Sequence, residues 1–132
     1  FSYVHNSLEK NIGKVLSVVK LNGGNENDLN EIGPKLAMHV AASAPIAIDK
    51  NGIDKNILDK ELEIIKEELK NSGKKVDMIE KISNGKLNKF ISENTLLNQI
   101  WIMDTKKKVK EILKNDIKII DFIRFKVGEG VE

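Results

Sequence analysis

The sequence predicts an α+β domain, and three observations support this class. Alternating or β-branched segments stand near both ends of the chain, strongly amphipathic helical patterns lie between them, and a run of small residues ends at a proline. The 132 residues are 40% hydrophobic and 32% charged, which suits one globular domain with a core of its own.

Two antiparallel strands are expected at the start of the chain. Residues 1–5 alternate with a period of two, and residues 12–21 are rich in β-branched side chains. The polar residues 6–11 between them favour a turn, so the second strand should run back along the first.

The first helix should end in the small-residue run AMHVAASAP, residues 37–45. Small side chains allow another element to approach closely, and Pro45 biases Ala44 away from the helical region. Asp28 or Asn30 could cap this helix, but Pro34 limits its start. We therefore expect a start near residue 32 or a kink, with a regular part over residues 35–43.

Residues 57–70 carry the strongest helical pattern, with apolar side chains spaced by four and three. Asn71-Ser72-Gly73 is typical of a helix end, and a second helix over residues 76–92 should return antiparallel to the first. Gly85 lies in the middle of this second helix, where it predicts close packing or a kink.

The last third of the chain should contain two further strands around a helix. Residues 99–103 are expected to form a short strand, in which Trp101 suits either the core or an interface. Asp104 or Thr105 should cap the helix that follows. The final strand should follow Asn115-Asp116, because apolar and basic residues alternate cleanly from residue 123 to residue 127.

The composition disfavours several classes of protein. The longest apolar run is far below the roughly 18 residues of a membrane span, and the first residues show no secretory pattern. The absence of cysteine excludes disulfides and thiolate metal sites and fits a cytoplasmic protein. The 22 basic and 20 acidic residues are interspersed, so the net charge of +2 gives no signal for direct nucleic-acid binding.

The sequence contains none of the usual motifs of an enzyme or a cofactor site. His5 and His39 are 34 residues apart and belong to no metal-binding pattern, and no P-loop, GxGxxG or GxSxG motif occurs. We therefore expect no cofactor, metal or small-molecule substrate. His39, among small apolar neighbours, should be structural, whereas His5 beside a polar turn is either a plain surface residue or a contact residue.

Motifs along nearly the whole chain resemble the C-terminal part of elongation factor Ts, the nucleotide-exchange factor for elongation factor Tu. The matching pieces, in chain order, are Tyr3-Val4-His5, Ile12-Gly13, Ala37-Met38-His39-Val40-Ala41-Ala42 with Pro45, Gly73-Lys74, Glu80-Lys81-Ile82, Gly85-Lys86, Lys89-Phe90, Leu97-x-Gln99, Met103-Asp104 and Phe122-Ile123-Arg124-Phe125-x-Val127-Gly128-Glu129-Gly130. Any one of these pieces alone would be a weak signal, but together they are specific.

The resemblance implies a small antiparallel three-stranded sheet with helices packed on one face and an inserted antiparallel helical hairpin. The α+β core would comprise residues 1–52 and 93–132, and the hairpin of residues 53–92 would serve dimerisation. Ile64, Met78 and Ile82 flank the inner stripes of the hairpin helices, where a symmetric partner could cover them.

The resemblance also implies partner-binding residues and no catalytic residue. His5 matches a family histidine, and Ile102-Met103 match an apolar pair; both positions resemble contacts with elongation factor Tu. Exchange would follow from differential binding, with the factor preferring the nucleotide-free GTPase to its GDP form.

The chain departs from the family pattern in ways that limit the implied activity. The family's Thr-Asp-Phe wedge is missing, because Asp121-Phe122 follows isoleucine and should lie in a strand. An N-terminal module and a C-terminal helical tail are also missing, so we expect a fragment that binds the GTPase and dimerises. Two alternatives remain: a dimeric scaffold without exchange activity, and a nucleic-acid-binding domain that uses residues 106–108.

Overall fold

The computed structural model describes residues 1–10, 12–114 and 116–129 and confirms the α+β class. Asn11, Asn115 and Gly130, which belong to two expected turns and to the last motif, lie outside the described residues. The elements in chain order are β1 (Ser2–His5), β2 (Val15–Asn22), α1 (Glu26–Ser43), α2 (Lys55–Asn71), α3 (Val76–Asn94), α4 (Val109–Ile112) and β3 (Lys118–Lys126). Short 3₁₀ turns occupy Lys50–Gly52 and Leu96–Asn98.

The three strands form one antiparallel sheet in the order β1-β2-β3, as expected. Ser17 of the central strand lies opposite Tyr3 on one side and Arg124 on the other. The register shifts between Lys20 and Leu21, towards the end of β2. Successive side chains of a strand point to opposite faces of the sheet. The odd-numbered residues of β1 and of most of β2 lie on the face towards the helices.

Helix α1 covers that inner face of the sheet and forms the main core with it. The Ser17 hydroxyl donates a 2.5 Å hydrogen bond to the carbonyl of Ala37, so helix and strand approach closely at this point. Only small side chains permit such an approach. The buried core residues here are Val19, Leu36, Ala37, Val40, Leu96, Trp101, Val109 and Ile119.

Helix α1 begins at Glu26, so the expected start near residue 32 is wrong. The cap is Asn25, whose side-chain oxygen accepts the Asp28 N–H at 2.9 Å. Pro34 lies inside the helix, on an exposed position. Water can hydrate the carbonyl that loses its helical partner there, so the proline is tolerated. The end at Ser43 before Ala44-Pro45 is as expected.

Gly33 is required for the packing of the first residue against α1. A Cβ atom built on Gly33 would lie 2.3 Å from the ring of Phe1. The Phe1 amino group in turn donates to the carbonyl of Val19 at 2.9 Å, which holds the start of the chain beside β2. Any larger residue at position 33 would displace the Phe1 ring.

Helices α2 and α3 are antiparallel neighbours joined through Gly73, which has a φ of +72°. Ile65, Leu69 and Ile79 form a small buried cluster between them. The expected close packing at Gly85 is wrong, because no described atom beyond its chain neighbours and the backbone of its own helix lies within 4 Å of a Cβ built there. The base of the pair packs on a separate cluster of Ala47, Ile53 and Ile91.

The expected strand over residues 99–103 is also wrong. Only one isolated bridge, between Ile100 and Lys108, involves this segment. The Trp101 N–H donates to the carbonyl of Lys107 at 2.8 Å, and the next residues form a turn. The helix after this turn is only four residues long and is capped at Lys108 rather than at residues 104 or 105. Trp101 itself is buried in the core, so the core and not an interface is its place.

The outer face of the sheet carries exposed apolar side chains. Ile123 and Phe125 alternate with residues that face α1, and they are 48% and 62% exposed. Val18 lies opposite Ile123 on the same face and is also exposed. The clean alternation expected for β3 is present, but its apolar side points away from the helices.

We expect Leu36→Ala to lower the free energy of unfolding by about 2–5 kcal/mol, because Leu36 is fully buried and its truncation leaves a cavity. Phe125→Ala removes a larger side chain but should cost about 1 kcal/mol or less, because that side chain is mostly exposed. Urea unfolding of both variants tests this pair. Equal losses would contradict the exposed outer face.

Candidate functional site

A cleft opens between the inner face of the sheet and the C-terminal half of α1. It encloses about 360 Å³ and is mainly apolar. The residues that line it are Tyr3, His5, Val15, Met38, Ala41, Ala42 and Ile102. Strand residues form one wall, helix residues form the opposite wall, and Ile102 contributes from the turn before α4.

The local sequence explains why space is left here. Tyr3, His5 and Val15 have odd numbers in β1 and β2 and therefore lie on the helix-facing side. Across from them, α1 presents Ala41 and Ala42, which are too small to fill the gap. A leucine at either position would occupy much of the cleft.

The polar edge of the cleft consists of Tyr3 and His5. The Tyr3 hydroxyl lies 3.0 Å from Nδ1 of His5, and the two ring centroids are 6.0 Å apart. His5 is exposed, as expected from its place beside a polar turn. Its imidazole is therefore available at the rim for contact with another molecule.

The structure brings two of the three predicted contact residues together. His5 and Ile102 are 97 residues apart in the sequence, yet both line the same cleft. Met103 does not line it; its side chain is 49% exposed on the adjacent turn. Met38, Ala41 and Ala42 also line the cleft and were not predicted as contact residues, although their small-residue motif was the available signal.

A buried polar network lies directly behind Ile102. Nε2 of His39 is 3.0 Å from the side-chain oxygen of Gln99, and the imidazole stacks on Trp101 with ring centroids 5.3 Å apart. Burial lowers the pKa of His39 below its ordinary value of 6.5, and the hydrogen bond with Gln99 opposes this shift. His39 is thus a satisfied structural histidine, as predicted.

Arg124 of β3 connects the sheet to the C-terminal half of α1. Its Nε donates to the carbonyl of Ala41 at 3.1 Å, and its Nη1 lies 3.0 Å from a carboxylate oxygen of Glu129. The Arg124 side chain is only 15% exposed. These contacts explain why arginine and glutamate stand five residues apart in the last motif: they attach β3 and the following turn to the helix that forms the cleft.

The lysine cluster at residues 106–108 is flanked by acidic residues. Nζ of Lys107 lies 3.8 Å from a carboxylate oxygen of Asp104, and the backbone N–H of Lys108 donates to Glu111 at 2.6 Å, which brings that carboxylate beside the cluster. Mixed charges of this kind are typical of a solvated surface. The cluster therefore offers little of the concentrated positive potential that nucleic acid requires.

Two kinds of feature are absent from the part of the chain that the structure describes. No three His, Asp or Glu side chains there are grouped so that they could hold a metal ion. No helix there is both long enough and apolar enough to cross a bilayer.

Comparison with known proteins matches residues 1–129 to the family described as elongation factor TS. Elongation factor Ts of Nitrobacter hamburgensis is 40% identical over 99% of this chain and 45% of its own length. The factors of Paramagnetospirillum magneticum and Orientia tsutsugamushi are 36% and 37% identical over the same shares. The chain thus spans a little less than half the length of these curated relatives.

We expect the free energy of unfolding to fall as the pH drops below 6.5, where unfolded His39 takes up a proton and folded His39 does not. Because the folded-state pKa is lowered, this contribution is fully present above 6.5 and is lost as the pH falls towards the folded-state pKa. Urea unfolding between about pH 5.5 and 7.5 measures the slope. His39→Gln should flatten the slope and His5→Gln should keep it; the reverse result would contradict the assignment.

Proposed function

The chain belongs to the elongation factor Ts family, and we propose that it is the part of such a factor that binds elongation factor Tu and thereby promotes release of GDP. The factor would act in translation elongation as a nucleotide-exchange factor. It would work by binding alone, with no catalytic residue and no cofactor.

The observation that carries this proposal is the shared cleft of His5 and Ile102. Both positions resemble partner contacts of the family, and the fold places both on one concave, mainly apolar surface. Such a surface suits an apolar side chain of a partner protein, with the Tyr3–His5 pair offering a polar contact at the rim. Met103, exposed beside Ile102, would extend the contact outside the cleft.

Binding energy is converted into nucleotide release by thermodynamic linkage. If the factor binds the nucleotide-free GTPase more tightly than the GDP form, GDP affinity must fall by the same ratio. The cleft residues would supply affinity for the GTPase. The family's Thr-Asp-Phe wedge has no counterpart here, since Asp121 and Phe122 lie within β3. The step that disturbs the nucleotide would therefore depend on other parts of a longer factor.

We further propose that residues 53–92 form an inserted hairpin for dimerisation, while residues 1–52 and 93–132 form the partner-binding core. Ile64 and Met78 support this division, because they are 52% and 51% exposed on the two hairpin helices. Ile82 does not, because it is half-buried and packs against the cluster between α2 and α3. Exposed apolar side chains on paired helices are typical of a surface that a symmetric partner covers. The same observation supports the second candidate function, a dimeric scaffold without exchange activity.

We expect Ala42→Leu to weaken binding to elongation factor Tu by about tenfold or more, because the added side chain fills the cleft. His5→Ala and Met103→Ala should also weaken binding and leave self-association unchanged. The measurement titrates this chain into elongation factor Tu loaded with fluorescent GDP and records complex formation and nucleotide release in the same sample.

The matched control is Asn30→Leu, which adds a similar side chain to an exposed position of α1 outside the cleft. Equal weakening by Ala42→Leu and Asn30→Leu would contradict the cleft as the binding site. Binding with little nucleotide release would support the partner and assign release to the rest of the factor. An absence of binding by the unmodified chain would favour the scaffold.

We expect the double variant Ile64→Glu and Met78→Glu to be monomeric, because paired carboxylates at a symmetric helical interface repel one another. Analytical ultracentrifugation over a range of concentrations measures the oligomeric state. Phe125→Glu, on the exposed outer face of the sheet, is the control and should leave a dimer intact. A dimer that survives the hairpin changes and is lost in Phe125→Glu would place the interface on the sheet.

A further inference from the structure

The Ile102 wall of the cleft depends on a hydrogen bond from outside the cleft. The Ile102 N–H points to Nδ1 of His39 at 3.4 Å, and it has no other acceptor among the described residues. The segment from residue 99 to residue 103 has no continuous strand or helix to fix its backbone. Trp101 is held by the bond from its N–H to the Lys107 carbonyl, and His39 supplies the acceptor for the next N–H, that of Ile102.

The side chain of Gln99 determines which nitrogen of His39 carries the proton. Its amide nitrogen donates to the carbonyls of Ser43 and Glu93 at 3.1 and 3.0 Å. Its oxygen must then face the imidazole, so it accepts from Nε2 of His39. Nδ1 is left without a proton and is the acceptor that Ile102 needs.

Burial restricts the imidazole to this orientation. The His39 side chain is fully buried, and its ring lies against Trp101 with an interplanar angle of 22°. Turning the ring over by 180° would put carbon atoms in the places of Nδ1 and Nε2. The Ile102 N–H and the Gln99 oxygen would then lose their hydrogen bonds with His39, which is costly in a core. The carbonyls of α1 and α3 thus orient Gln99 and His39. Together with the bond from the Trp101 N–H to the Lys107 carbonyl, these two side chains hold the Ile102 backbone.

We propose that His39 and Gln99 are positioning residues for the partner-binding cleft: they hold Ile102 at the cleft wall without touching the partner themselves. This inference rests on the proposed function, because it assigns a role to the wall that elongation factor Tu would contact. It makes affinity depend on a buried pair at the junction of α1, α3 and the turn before α4.

The test compares two replacements of His39 that differ in their hydrogen bonds. His39→Phe keeps a ring against Trp101 and removes both hydrogen bonds, whereas His39→Gln keeps one donor and one acceptor. The readouts are the Ile102 amide resonance, the fluorescence of the single tryptophan, and affinity for nucleotide-free elongation factor Tu. We expect His39→Phe to shift the Ile102 resonance and lower affinity about tenfold, and His39→Gln to recover most of that loss.

Leu69→Ala is the control for general destabilisation. It truncates a buried side chain of the cluster between α2 and α3, away from the cleft. It should lower the melting temperature, because it leaves a cavity, and leave affinity unchanged. If His39→Phe does not fold, Gln99→Met provides the second test, because it removes the acceptor of the His39 proton and keeps a side chain of similar length.

The outcomes separate this inference from the proposed function. An unmodified chain that does not bind the GTPase would overturn the proposed function, and with it the affinity role of His39. An unmodified chain that binds, with a folded His39→Phe variant of unchanged affinity, would overturn the positioning role alone. A His39→Gln variant as weak as His39→Phe would also overturn it, because the retained hydrogen bonds would then be irrelevant.

Discussion

The burial of α1 against the inner face of the sheet is the interaction on which the rest of the structure depends. The hydrogen bond from Ser17 to the Ala37 carbonyl marks where helix and strand are closest. Large side chains on both sides of this point, Val19 and Leu36 among them, are fully or almost fully buried. Further along the helix the strand wall continues, but the helix presents Ala41 and Ala42. The same packing that forms the core therefore leaves the cleft at its end.

Two hydrogen bonds support the walls of the cleft, and each is made to a backbone atom of a cleft residue. Arg124 donates to the Ala41 carbonyl from β3, while His39 accepts the Ile102 N–H from within α1. Among described residues that are not exposed, no buried side-chain nitrogen or oxygen lacks a hydrogen-bond partner. Because an unpaired buried polar group is costly, these contacts oppose any movement of the cleft walls. A concave surface held in this way would lose little conformational entropy if it bound a partner.

Two surfaces outside the cleft each carry several exposed apolar side chains. One is the hairpin of α2 and α3, and the other is the outer face of the sheet with Ile123 and Phe125. Neither contributes a residue to the cleft. On the proposed assignment, partner binding and self-association would therefore use separate surfaces, and a substitution could alter one without the other.

The sequence by itself determined the α+β class, the first two strands, the end of α1 before Pro45 and the antiparallel pair of long helices, since these follow from local periodicity and from turn and proline chemistry. It did not determine the start of α1, because the tolerance for Pro34 depends on its exposure in the folded chain. Nor could it decide the state of residues 99–103, whose strand-like alternation finds only one bridging partner. The close approach expected at Gly85 likewise required a neighbour that is not there.

His5, Ile102 and Met103 came from the resemblance, and only the tertiary structure brought His5 and Ile102 to one cleft and left Met103 beside it. A cleft is a gap between elements distant in sequence, and periodicity within one element carries no information about such gaps.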